Sequence, residues 1–411
     1  MMKTTRHRDG PGWNRGALLA INGGSSSIRF AVYDTGAALR RRLDGKVDRI
    51  GSGGTTLLVN ESPDTPRVTR RLAADDHRTA AGFLLDWLET QPVFASVKAV
   101  GHRVVHGMKH SEAERVTPKL LEELRRITPY DPEHLRREIG MIEAFSRRQP
   151  RLPQVVCFDT AFHRTIPKVA RLLPIPRRYA AKGVERYGFH GLSYAYLMEE
   201  LVRLGDPAAT RGRVVLAHLG NGASLAAVRD GRSIDTSMGF TPASGLVMST
   251  RTGDLDPGLV YYLARTERMT PARFQRMVNH ESGLLGVSGT SSDMRDLLVR
   301  EARDVRAAEA VALFCYQARK WIGSFAAALG GIDTLVFAGG IGENAPHIRE
   351  RICDGLGFLG IALHHGRNSK NAPLISRDAG RVKVRFIRTD EELMIARSVC
   401  RVLDLGSSRE G

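Results

Sequence analysis

The chain has 411 residues, 42% hydrophobic and 26% charged, with 61 Lys and Arg against 44 Asp and Glu for a net charge of +17. That length exceeds one compact core, so two domains are expected, and no run of about 18 apolar residues offers a membrane helix. The positive charge lies in short scattered clusters (Arg40, Arg41 and Arg42; Arg125 and Arg126; Arg177 and Arg178) without aromatic interleaving, which reads as solvated faces and argues against a nucleic-acid track.

Residues 1–16 are basic and polar with no apolar stretch, the pattern of a frayed tail and not of a secretory signal. Next, 17–21 is apolar, 22–27 is Asn-Gly-Gly-Ser-Ser-Ser, and 28–34 alternates. This predicts a hairpin whose tip is either a plain tight turn or a cradle of N–H and hydroxyl donors for phosphate. It is not a Walker A loop. The Gly-, Pro- and Thr-rich stretch 51–69 reads as a surface excursion.

Arg103 follows the apolar run 97–100, where a guanidinium can fork onto an anion or simply lie on the surface. Asp159 ends the run 155–158, either as a site carboxylate at a strand end or as the cap of a helix. His190 stands between Gly188 and Gly191 ahead of a predicted helix over 193–204. It is either structural or placed for close backbone approach to a ligand.

The strand–turn–strand pattern returns at 214–219, 220–224 and 225–228. The segment from Gly239 to Pro257 has no helical or strand period and holds Arg251 in a polar, Gly-rich loop. A long helix is predicted over 306–329, and the apolar run 334–338 leads into the glycine turn 339–344 and a helix from Pro346. A last amphipathic helix covers 391–403, its acidic start serving the helix dipole or a Mg²⁺ ion. Strands alternating with helices give an α/β class, and two similar hairpins suggest two domains on one plan. The four cysteines, Cys157, Cys315, Cys353 and Cys400, show no metal spacing, which predicts reduced thiols in a cytoplasmic protein.

Taken in order, the segments 22–30, 101–107, 158–163, 187–191, 218–224, 235–257, 288–295, 339–344 and 391–397 resemble the acetokinase family of the actin/hexokinase/Hsp70-like superfamily. The likeness runs from about Ala17 to Leu403. It implies two ribonuclease-H-like (actin-like ATPase) domains with a central cleft: 17–162 with 391–405, and a nucleotide-binding 163–390. It also implies ATP-dependent, reversible phosphorylation of acetate to acetyl phosphate, with Mg²⁺ or Mn²⁺, in a homodimer without nucleic-acid or membrane partners. Propionate or butyrate as acceptor, or a basic nucleotide-dependent binding protein, are the alternatives.

By position, the resemblance makes Asn22 and Glu391 metal-site residues and Arg103 and Arg251 the active-site arginines. Asp159 matches the acid assigned to catalysis and His190 the transition-state histidine. Nucleotide contacts fall on Ser27, Arg29, His218, Leu219, Gly220, Asn221, Gly222, Asp293, Met294, Arg295, Gly340, Ile341, Gly342, Glu343 and Asn344. Val105, Phe189 and Pro242 surround the acyl methyl group, and Tyr130 stands where the family has a leucine. Other departures are Arg29 for a lysine, Met108 for a glycine, Tyr194 for a histidine, Ser249 for a glycine and Asp390 for an asparagine.

Charge suggests the division of labour. A simple carboxylic acid, with a pKa of about 4–5, is ionised at neutral pH and needs no general base. The obstacle is the approach of two anions, so cations and positioning should dominate. Arg103 is expected on the substrate carboxylate, and Arg251 with His190 on the equatorial phosphoryl oxygens. Asp159 is expected to position and not to accept a proton.

Overall fold

The computed structural model describes residues 16–24, 27–36, 38–51, 53–60 and 68–405. The tail read from the sequence lies outside these residues except for Gly16, as do Ser25 and Ser26 of the first turn. The chain divides into two compact units, one of residues up to 104, 112–157 and from 392 onward, the other of 105–111 and 158–391. The sequence division at 162 and 390 falls a few residues from these joins and assigns 105–111 to the other half.

The first unit is built on β1 (Ala17–Gly23), β2 (Ile28–Asp34), β3 (Arg40–Asp48), β4 (Thr56–Asn60), β5 (Val68–Arg71), β6 (Val97–Val104), β7 (Glu114–Arg115) and β8 (Gln154–Phe158). Their order in the sheet is β5-β4-β3-β2-β1-β6-β8-β7. β1 and β8 are apolar on both faces, as central strands covered on both sides must be. β1 pairs antiparallel with β2 and parallel with β6, which sets Asn22 opposite Arg29. The stretch 51–69 is more than a surface excursion, because it supplies β4, where Leu57 and Val59 alternate into the core. Turn-forming composition around it hid that short period. Arg40 and Arg42 lie exposed on β3 and pair with Asp34.

The second unit carries β9 (Arg213–Leu219), β10 (Ala223–Arg229), β11 (Arg232–Thr236), β12 (Thr334–Ala338) and β13 (Lys383–Phe386), ordered β11-β10-β9-β12-β13. β9, β10 and β11 run antiparallel, while β12 is parallel to β9 and β13 to β12. Counting only the central strands β1, β2, β3, β6 and β8 of the first sheet, both sheets run third, second, first, fourth, fifth in chain order, which is the ribonuclease-H-like plan expected of both halves; β4, β5 and β7 are added at the edges of the first. Helix Val305–Leu329 is capped by Asp304, closed by Gly330 at φ 74, and buries Ala307, Val311, Phe314, Ala318, Ile322 and Phe325 along one face.

All four cysteines are free, and burial pushes the thiols of Cys157 and Cys353 up to about 12. Among the described residues no helix is long and apolar enough to cross a membrane.

Candidate active site

In the second unit the site begins where β8 ends. Asp159 is fully buried, and its carboxylate accepts the main-chain N–H groups of His190 at 2.8 Å and Leu192 at 3.5 Å. It therefore caps helix Gly191–Arg203 from a distant part of the chain, not a helix that follows it directly. A side chain at Gly191 would collide with the Asp159 carbonyl. His190 itself sits at φ 61, a left-handed conformation that costs a non-glycine residue. His163, fully buried, holds the preceding residue by bonding its Nε2 to the Phe189 carbonyl at 3.1 Å and its Nδ1 to Ser233 Oγ at 2.9 Å. Burial lowers its pKa to about 4.

The His190 ring stacks on His218, with centroids 4.2 Å apart, and its Nδ1 meets Ser224 Oγ at 2.8 Å. The turn Gly220–Asn221–Gly222 between β9 and β10 passes over this pair. A Cβ on Gly222 would lie 3.2 Å from His190 Nε2 and 3.6 Å from Arg251 Nη1, so both nitrogens face the same glycine. Arg251 is tied to the wall by a 3.2 Å bond from Nη1 to the Pro242 carbonyl. Asn221 Oδ1 accepts from Ser249 Oγ at 2.9 Å, a bond that the departure from glycine at 249 makes possible.

The glycine run after β12 is itself a short helix, Gly339–Asn344, with no separate turn before it. Glu343 Oε1 accepts from the N–H of Gly339 at 3.0 Å and of Thr389 at 3.2 Å. Arg349 is fully buried behind the run. Its guanidinium donates to the carbonyls of Gly342 and Glu343 at 2.7 and 3.2 Å, to Asn368 and to Asn371. Asn344 caps back onto the Gly340 carbonyl. Asp293 caps helix Met294–Arg300 and pairs with the exposed Arg295, while Met294 and Leu219 bury their side chains, so only their main chains can serve a ligand. Val105, Phe189 and Pro242 are buried apolar residues of this unit, and His106 packs edge-on to Phe189.

In the first unit, Arg103 lies one residue before the end of β6 and donates from Nη1 to the Gly23 carbonyl at 2.7 Å, with Glu138 Oε1 3.9 Å from the same nitrogen. Both side chains are nearly buried and line a pocket with Ile21, His134 and Arg137. Asn22 Nδ2 donates to Glu392 Oε1 at 2.9 Å. Arg29 is exposed, and Tyr130 is half-buried in the turn Thr128–Tyr130. Sequence reasoning included Ser224, Thr389 and Glu392 in its segments but gave no individual role to them or to Ser193. The hydroxyls gave no spacing signal, and Glu392 was overshadowed by its neighbour Glu391.

Glycine turns at strand ends, backed by a guanidinium and imidazoles, suit phosphate oxygens. On an actin-like α/β fold of two ribonuclease-H-like domains, they define a phosphotransferase of the kinase class. The Acetokinase family profile matches residues 17–397. The chain is 44% identical over 395 residues to an acetate kinase of Rhodopseudomonas palustris, covering 95% of this chain and 99% of that one. It is 42% identical to a propionate kinase of Citrobacter rodentium, covering 94% and 96%. The crystal structure of Porphyromonas gingivalis acetate kinase superposes with a TM-score of 0.83 at 34% identity, covering 94% of this chain and all of that one. The chain belongs to the acetokinase family.

Proposed function

We propose that the protein is a cytoplasmic acetate kinase, transferring the γ-phosphoryl group of ATP reversibly to acetate. The observation that carries this reading is the shared aim of His190 Nε2 and Arg251 Nη1 at Gly222. Two donors on one turn suit the equatorial oxygens of a phosphoryl group in flight. The acetate oxygen attacks phosphorus, the bond to the ADP oxygen breaks, and no proton changes hands. Arg103, steadied by Gly23 and Glu138, holds the acetate carboxylate. Nucleotide binds the second unit through 218–222, 293–295 and 340–344. Asp159 keeps His190 in its left-handed pose and is a positioning residue.

Asn22 and Glu391 would hold the divalent cation. Their amide and carboxylate oxygens are hard donors that fit Mg²⁺ or Mn²⁺, and the Asn22 amide, bonded through nitrogen to Glu392, keeps its oxygen turned from that carboxylate. When bound, such an ion neutralises phosphate charge. A homodimer is part of the same reading. Helix Gly258–Thr266 has no buried residue, and Leu259, Val260, Tyr261 and Tyr262 lie exposed on it, an apolar surface that a second copy would cover. Light scattering should then give twice 45.2 kDa.

Propionate is the second reading, favoured by the relative named for it. The deciding experiment traps acyl phosphate as the hydroxamate from ATP with acetate, propionate or butyrate. Product with none of the three acids would overturn the proposal, and equal kcat/KM for all three would overturn the choice of acetate.

A further inference from the structure

The two stacked imidazoles of the second unit are each held at Nδ1 by a buried serine. His190 Nδ1 meets Ser224 Oγ and His218 Nδ1 meets Ser193 Oγ, both at 2.8 Å. Ser224 is fully buried, and among the described residues its hydroxyl has two side-chain neighbours, His190 Nδ1 and the phenol of Tyr194 at 2.5 Å. Tyr194 is fully buried too. Burial pushes its pKa up, so it stays protonated.

Counting protons then settles the direction of the chain. The phenol proton has Ser224 Oγ as its side-chain acceptor. The serine oxygen keeps a second lone pair, but its single proton has His190 Nδ1 as its remaining side-chain partner among the described residues, so satisfying that buried proton makes Ser224 the donor to Nδ1. A ring nitrogen that accepts carries no hydrogen, so the neutral ring carries its proton at Nε2. That nitrogen faces Gly222 beside Arg251 Nη1. His218 repeats the logic: Thr389 Oγ1 donates to Ser193 Oγ at 2.8 Å, which leaves the Ser193 proton for His218 Nδ1.

We infer that Tyr194 and Ser224 form a hydroxyl relay that fixes His190 in its Nε2–H tautomer, so that a donor and not a lone pair meets the transferring group. They are positioning residues and do not touch substrate. The catalytic weight of the relay rests on the proposed role of His190, whereas the tautomer does not. Without the relay, Ser224 is free to accept, His190 can carry its proton at Nδ1, and Nε2 then turns a lone pair towards an anion.

The test uses full-length protein labelled with ¹⁵N-histidine and read by long-range ¹H–¹⁵N correlation, with His190 assigned by its loss in His190→Gln. Wild type should show a bare Nδ1 and a protonated Nε2. Tyr194→Phe should bring in Nδ1–H and lower kcat at least about tenfold, towards the roughly hundredfold cost of losing one positioned donor. KM for acetate and ATP should stay within about twofold, the signature of an interaction made in the transition state. Ser224→Ala removes donor and acceptor together and should lower kcat without bringing in Nδ1–H, whereas Ser224→Thr keeps the hydroxyl and should retain the wild-type tautomer and turnover. A purely structural tyrosine would lower Tm and leave the tautomer alone. Nδ1–H in the wild-type protein, or an unchanged tautomer in Tyr194→Phe, overturns the relay. A protonated Nε2 together with full turnover in His190→Gln would leave the relay standing and overturn the role given to His190.

Discussion

Asp159 and His190 are 31 residues apart in the chain, yet the carboxylate of one accepts the main-chain N–H of the other at 2.8 Å. The bond is to backbone, which makes Asp159 a brace for the left-handed turn and separates two roles that the resemblance alone leaves merged. Asp159→Ala should lower stability by about 1–2 kcal/mol, the usual cost of a lost helix cap, read as a shifted urea midpoint at constant m. Asp159→Asn keeps an acceptor oxygen and should retain clearly more turnover than Asp159→Ala. Equal inactivity of the two at equal stability would mean that the carboxylate takes a proton.

The arginines should separate by kinetic parameter. Arg251→Ala should lower kcat by about 2.7–4 kcal/mol in barrier terms, the cost of one well-placed donor, even at saturating acetate. Arg103→Ala should also raise KM for acetate. Near wild-type turnover in either variant would contradict the electrostatic account.

Tyr130 should make the acyl end small. Acetate should be preferred to propionate by about 1–3 kcal/mol, the range for one methylene. Tyr130→Leu should narrow the gap, as steady-state kcat/KM for the two acids would reveal.

Chelation of divalent ions should abolish turnover, and Mg²⁺ or Mn²⁺ should restore it. Asn22→Ala and Glu392→Gln should raise the Mg²⁺ concentration for half-maximal rate about tenfold or more, Glu392 because it bonds the Asn22 amide of the proposed metal site. Titration of activity against free Mg²⁺ measures both.

Stability should fall on the acid side. Burial lowers the pKa of both His102 and His163 to about 4, whereas an unfolded histidine titrates near 6.5. Below that value the unfolded chain takes up protons that the folded chain refuses. The contribution is therefore complete above about pH 6.5 and is lost as pH falls towards 4, by about 1.4 kcal/mol per unit for each ring. Urea midpoints at pH 7.5 and 5.5 should show the loss.

The sheets were legible because their central strands, such as β1 and β12, are unbroken apolar runs followed by glycine-rich segments. β4 was not, since five residues inside a Gly- and Pro-rich stretch are too short to show a period. Arg251 and His190 stood out through their glycine-rich surroundings. Ser224 and Glu392 did not, and Tyr194 entered only as a departure from the family's histidine, because their importance lies in long-range hydrogen bonds, which no local spacing records. Asp159 was visible as a strand-end carboxylate, but its partner was not.

Arg349 has a consequence for behaviour in salt. Among the described residues every lysine and arginine except Arg349 is at least partly exposed, where mobile ions shield its charge beyond about 8 Å at physiological strength. The Arg349 guanidinium, sealed behind Gly342 and Glu343, is out of reach of such ions. Brine that mutes the exterior leaves this cation at full strength against the carbonyl ends of the glycine helix, so the polarity of that wall belongs to the folded chain and not to the medium.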